Sequence, residues 1–374
     1  MKSSICEEYG MEIPVFAFSH SPDVVIAVSN AGGFGVLGAS GMTPEQLEQA
    51  LQKISRACKD KPYGIDTIIP NSYVGIETGG FDPESLKKHI PEGHVQFVSG
   101  LLDEYQVPAL DADESTLSTT AGEMISLNGA MQLIDIALSY PIKLLVNALG
   151  VFPKEIIDRA HSQNIKVGAL VGTVKHALYQ KAAGVDLIIA QGYEAGGHTG
   201  DIACMSLVPQ VVDAVAPIPV LCAGGVASGR QLAAAMALGA DGAWTGSIWL
   251  MTEEAETHPV VKEKFRMASS SDTLRSRAST GKPARQLRSN WTDAWEDPAN
   301  PKPLPMPLHS MLIHEARMRI EQDARKGGEG GTNLINYFVS QSVGMLKETK
   351  PAAEVLHTMY KEYQEVMGKI SSTV

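Results

Sequence analysis

Several things are scarce in this sequence, and each scarcity removes a class of protein. The 374 residues include four cysteines (Cys6, Cys58, Cys204 and Cys222) with no C-x-x-C spacing. That argues against a zinc knuckle or a disulfide framework and fits a reducing compartment. Basic residues are outnumbered, 31 Lys plus Arg against 42 Asp plus Glu. The resulting net charge of −11 disfavours a nucleic-acid partner. No apolar run reaches the ~18 residues of a membrane span. The opening MKSSICEEYG lacks the basic start and apolar run of a signal peptide. The ten histidines show no H-E-x-x-H or comparable metal spacing, and there is no G-x-S-x-G nucleophile elbow. Ala31-Gly32-Gly33-Phe34-Gly35 lacks the G-x-G-x-x-G order of a dinucleotide fingerprint. The expectation is a cytoplasmic protein with a small-molecule partner, no nucleic acid and no membrane; a homo-oligomer is left open.

What the sequence does have is alternation. Eight short, nearly continuous apolar runs stand out: Ile13 to Ser19, Phe34 to Ser40, Tyr63 to Ile69, Lys143 to Ala148, Lys166 to Val171, Asp186 to Ala190, Ile218 to Ala223 and Gly242 to Trp249. Each is bounded by Gly, Pro or Asn, as parallel strands covered on both faces should be. Helical stretches lie between them. Pro44 to Cys58 follows Thr43, with Gln46 placed for a capping box. Lys175 to Ala183 ends at Gly184, and Ser228 to Leu238 ends at Gly239. The pattern predicts an α/β fold, a (β/α)8 barrel over residues 1–270, with an open doubly wound sheet as the competing architecture. An insertion at about 70–140 should add a strand near Val95 to Val98 and helices. Residues 271–374 carry a basic stretch (Arg275, Arg277, Lys282, Arg285, Arg288), a proline-rich coil from Pro298 to Pro307, and helices at Ser310 to Lys326 and Ala352 to Met367. These should pack on the barrel. The basic stretch either grips an anionic substrate tail or, as most charge runs do, pairs with an acidic surface.

Two motifs bear chemistry. Gln191-Gly192-Tyr193-Glu194-Ala195-Gly196-Gly197-His198-Thr199-Gly200 follows the sixth run. Its glycines let backbone approach a ligand, and His198 sits at the carboxyl end of a strand, where barrel active sites are built. An imidazole suits proton transfer near neutral pH. Gly224-Gly225, after the seventh run, and Trp244-Thr245-Gly246-Ser247, ending the eighth, occupy the two loops that form phosphate sites in barrels. Exposed N–H groups and a helix dipole favour an anion there. Cys222, inside an apolar run, reads as an inert core thiol. His20 and Asp66 hold rim positions, where a lone polar residue is more often structural.

With these residues the chain resembles the nitronate monooxygenase (2-nitropropane dioxygenase) family of FMN-dependent barrels. The likeness runs from Ile13 to about Arg288 and includes Ala27 to Gly35, Glu194 to Gly200, Leu207 to Val215, the Gly224-Gly225 turn and Thr245-Gly246-Ser247. It implies FMN as cofactor and His198 as the active-site histidine. It further implies FMN contacts from Gln191 and Gly196, and from Gly225 with Trp244, Thr245, Gly246 and Ser247 around the phosphate. Two departures stand out. Phe16-Ala17-Phe18-Ser19-His20 replaces the usual Gln or Pro followed by Met, and Asp66 stands where the third strand usually ends in Asn. A carboxyl there is placed to bond a flavin ring nitrogen but brings negative charge.

Three functions follow as expectations. The first is FMN-dependent oxidation of alkyl nitronates by O2. The second is NAD(P)H-dependent reduction of an enone, quinone or enoyl thioester on the same barrel. The third is a flavin- or phosphate-binding module without catalysis. A further expectation is that Gln341 to Gly344 approaches the cofactor.

Overall fold

The computed structural model describes residues 4–69, 86–111 and 127–372. Eight parallel strands close into a barrel: β1 (Val15–Ser19), β2 (Phe34–Gly38), β3 (Tyr63–Thr67), β4 (Leu144–Asn147), β5 (Lys166–Val171), β6 (Leu187–Gln191), then, past the short β7 (Gly197–His198), β8 (Val220–Ala223) and β9 (Gly242–Thr245). Closure is made by β9 on β1, with Val15 opposite Ala243 and Ala17 opposite Thr245. An open sheet is thereby excluded, and the strands fall within the eight runs to within a residue at one end. The eighth run stops short: the strand ends at Thr245, Gly246 turns the chain, and Ser247–Met251 winds into a 3-10 turn carrying the buried Trp249.

The helices among the described residues include α1 (Ser4–Tyr9), α2 (Pro22–Asn30), α3 (Pro44–Cys58), α4 (Glu92–Glu104), α5 (Leu127–Leu138), α6 (Lys154–Ser162), α7 (Val174–Ala183), α8 (Cys204–Val215), α9 (Gly229–Ala237), α10 (Pro259–Met267), α11 (Asn290–Glu296), α12 (Leu308–Arg325), α13 (Glu329–Leu334) and α14 (Ala352–Ser371). Local chemistry sets their ends. Thr43 and Gln46 make both bonds of the capping box on α3, and Gly184 ends α7 at φ 91°. The strand expected near Val95 to Val98 is instead part of α4. Burial falls on Val98, Leu101 and Leu102 while Val95 is exposed, which is one helical face rather than alternation. Residues 70–85 and 112–126 of the expected insertion lie outside the described residues.

Two apolar clusters form. Alternate residues of the strands (Phe16, Phe34, Val36, Leu144, Val146, Leu187, Ile189, Leu221) fill the barrel, and Ile5 and Tyr9 of α1 join them. The Tyr9 ring meets Phe16 and Phe34 edge-on, at 5.4 and 5.7 Å. The interior is therefore hydrocarbon from that end, and polar chemistry is confined to the carboxyl ends of the strands. The other residues of each strand join the helices in the outer cluster.

The later chain covers that mouth. β10 (Thr273–Ser276) and β11 (Ala284–Leu287) form a hairpin whose second strand pairs antiparallel with β7, Ala284 opposite His198. Phe338 adds a bridge to Gln286. α14 packs on α9 and α2 through Leu356 and Met359, which are buried. A side chain on Gly229 would strike the backbone of Met359 and Tyr363, so glycine is what permits this approach.

Candidate active site

A cavity of about 760 Å³ opens at the carboxyl ends of the strands. Asp66, Gln191, Gly196 and His198 line it, as do Gly224, Gly225 and the segment Trp244 to Ser247. The residues expected to serve catalysis and the flavin thus face one space, although they come from four strands and the loops after them.

His198 is positioned by β7. Its Nδ1 lies 3.3 Å from the carbonyl of Pro283, which only accepts, so Nδ1 carries the hydrogen and Nε2 keeps its lone pair. Burial, helped by the Lys282 charge, pushes the imidazole below its usual pKa of 6.5, outweighing the raising effect of the Pro283 bond. The ring sits 6.3 Å from that of Phe338. The loop before it is tied down by Glu194, whose carboxylate accepts the Cys204 amide at the start of α8 and whose carbonyl accepts the Gln341 amide. Glu194 is therefore a helix cap.

Asp66 ends β3. Tyr63 and Ile65 belong to the outer cluster, so Gly64 and Asp66 point into the barrel. The carboxyl is buried, its Oδ1 has no hydrogen-bond partner among the described residues, and desolvation holds it well above the usual carboxylate range. A protonated carboxyl removes the objection of negative charge and offers both a donor and an acceptor. His20 lines the same space, hydrogen-bonded through Nδ1 to the Gly38 carbonyl at 2.9 Å.

The anion cradle differs in one respect from the expectation. The amino end of α9 is already satisfied: Gly229 N donates to the Glu362 carboxylate at 2.7 Å and Gln231 N to Ser228 Oγ. The free amides lie just before it. Those of Gly225, Val226, Gly246 and Ser247 have no acceptor among the described residues. Gly224 and Gly225 take φ of 125° and 70°, conformations that turn successive N–H groups to one side. Ser247 Oγ accepts the Ser340 amide at 2.9 Å and keeps its own hydrogen to donate. Unpaired amides, a free hydroxyl and an orphaned buried carboxyl across the same cavity fit a phosphate-bearing flavin.

The basic stretch does not reach this space. Arg275 pairs with Asp201, and Arg288 with Asp293 at 2.7 Å. Arg285 is buried, donates to Tyr193 O and Thr273 Oγ1, and stacks 4.5 Å from the Tyr193 ring. Gln341–Met345 form a 3-10 turn beside the cavity, but the C-terminal lining residues are Tyr337, Phe338 and Ser340, a few positions earlier. α12, one of the C-terminal helices expected to pack on the barrel, supplies His314, Arg317 and Glu321 to the wall, side chains the sequence did not single out. Their one-face spacing was visible, but nothing in the sequence says which face meets the barrel.

A closed (β/α)8 barrel with this cradle and histidine defines a flavin-dependent oxidoreductase. The chain belongs to the nitronate monooxygenase family, whose model matches residues 9–362; enzymes of this family use FMN. It is 50% identical over 374 residues to a Mycobacterium tuberculosis protein named as a monooxygenase, covering 100% of both chains. It is 28% identical over 364 residues to a Staphylococcus saprophyticus protein named for nitronate monooxygenase, covering 94% of each. Among solved structures, nitroalkane oxidase from Streptomyces ansochromogenes superposes with a TM-score of 0.80 at 25% identity, over 98% of this chain and 100% of that one. FabK from Thermotoga maritima gives 0.73 at 25% identity over 100% of both.

Proposed function

We propose that the protein oxidises alkyl nitronates with O2, and neutral nitroalkanes after proton removal by His198. The observation that carries this reading is the imidazole locked with its hydrogen on Pro283 O and its Nε2 lone pair unclaimed. Burial keeps the ring neutral and ready to take a proton at neutral pH. FMN, when bound, supplies electron acceptance and reaction with O2. The chain supplies the rest. Amides of Gly225, Val226, Gly246 and Ser247 would hold the phosphate, Gln191, Gly196 and Asp66 would serve the flavin, and Phe338 with the Tyr337 wall would limit water. The four cysteines are free thiols, which supports a cytoplasmic setting.

The test is His198→Asn assayed by oxygen uptake. A preformed nitronate needs no base, so neutral nitroalkane turnover should fall about 10²–10⁴-fold while nitronate turnover falls far less. Equal losses on both substrates would overturn the base role.

The second reading is NAD(P)H-dependent reduction of an enone, quinone or enoyl thioester. The size of the cavity, ample for a flavin and a long substrate, and the full-length likeness to FabK support it. Anaerobic mixing separates the two: prompt bleaching of the flavin by NADH or NADPH favours the reductase, and bleaching by nitronate alone favours the oxidase.

A further inference from the structure

We infer that Arg317 and His314, on the cavity face of α12, form a subsite for a carboxylate carried by the substrate at the end remote from the reacting carbon. Ser310, His314, Arg317 and Glu321 recur at helical spacing and all line the cavity. Arg317 is the one arginine or lysine among the described lining residues. Its one ion pair among the described residues is loose, 3.9 Å from Nη2 to Glu321 Oε1, and a third of its side chain is exposed. The Nε2 of His314 is buried with no hydrogen-bond partner among the described residues. A guanidinium fork and an adjacent unclaimed imidazole nitrogen match the two oxygens of a carboxylate.

The charge count favours a monoanion. Glu321 shares the stripe and cancels part of the Arg317 charge, so a doubly charged phosphate would meet too little compensation. The five basic residues from Arg275 to Arg288, the alternative grip for an anion, do not line the cavity. The ends of the site are joined by aromatic rings. Phe338 contacts His198 at 6.3 Å and Tyr337 at 6.1 Å, and Tyr337 lies within the electrostatic reach of Arg317. Met311 and Met318 complete an apolar, pliable wall between them. Such a wall suits an aliphatic spacer. The substrate class rests on the nitronate reading above; the carboxylate subsite itself does not.

The experiment uses the holoenzyme. Oxygen uptake is measured with nitronates bearing a terminal carboxylate and with the amides of the same length, in the wild type and in Arg317→Gln. The wild type should favour the carboxylate, and the ratio of kcat/KM values should shrink about 10- to 100-fold in the variant. In parallel, hexanoate and hexanol are titrated by calorimetry. Hexanoate should bind more tightly than hexanol, and Arg317→Gln should erase the difference. A wild type without carboxylate preference in either assay overturns the subsite, and so does a preference that survives Arg317→Gln. Where no nitronate is oxidised but hexanoate still binds through Arg317, the nitronate reading falls and the subsite stands. Should Arg317→Gln fail to fold, Arg317→Lys, which keeps the charge and loses the fork, must show an intermediate preference.

Discussion

The backbone of Gly196 lies directly against that of Ser340: a Cβ built on Gly196 would stand 2.8 Å from the Ser340 amide nitrogen and 2.8 Å from the Val339 carbonyl carbon. Backbone cannot swing aside as a flexible side chain can. The loop carrying His198 and the segment carrying Phe338 are thus pressed together by the absence of one side chain.

Gly196→Ala should therefore push Ser340 away and disturb its bond to Ser247 Oγ and the neighbouring bond from Gln341 to Glu194. Overpacking of this kind costs about 1–3 kcal/mol. We expect a lowered urea midpoint and weaker retention of FMN. Gly100→Ala in α4, where an added Cβ meets nothing within 4 Å, serves as control and should stabilise slightly. Indistinguishable melts and flavin affinity for Gly196→Ala and the wild type would contradict the packing argument.

Asp66 makes the flavin-free protein less stable as pH rises. Its folded pKa lies well above the 3.8 of a free side chain, so between those values the folded chain binds more protons than the unfolded one. Stability then falls with increasing pH across that window. Asp66→Asn removes the burden. The melting temperature of the flavin-free variant should exceed that of the wild type near pH 7, with the gap closing towards about pH 4. A gap that widens on acidification would show that the carboxyl is ionised and partnered in the folded protein.

His309 acts in the opposite sense. It is fully buried, its Nδ1 accepts the Leu304 amide and its Nε2 donates to Ala278 O, an arrangement only the neutral ring can make. Burial lowers its pKa to about 4 from 6.5. Stability is intact above about pH 6.5 and is lost as pH falls towards 4, by about 3 kcal/mol for this residue. Urea denaturation between those pH values should show the slope, and His309→Gln should flatten it. An unchanged slope would assign the acid sensitivity elsewhere.

Much of the barrel could be read in advance because its rules are local. The eight apolar runs, the Thr43 capping box and the left-handed Gly184 depend on residues within a few positions of one another. The site residues were legible for a related reason: strands of a barrel end at one face, so glycines and a histidine following them must converge. Long-range pairing was not legible. That Pro283, just before β11, would meet His198, or that Glu362 would reach the amino end of α9, depends on how distant segments dock. Val95 and Val98 misled because β-branched residues also sit comfortably in a helix whose opposite face is solvated.

His198 donates its hydrogen bond to the Pro283 carbonyl of a hairpin 85 residues further along the chain. That hairpin lies outside the barrel and lends it no strand. Substitutions around Pro283 can therefore retune the proton affinity and tilt of the imidazole while the flavin cradle stays as it is. Acid–base behaviour and cofactor retention are thereby free to drift apart, and the chain beyond Ser270 is where catalytic divergence among such barrels would be sought.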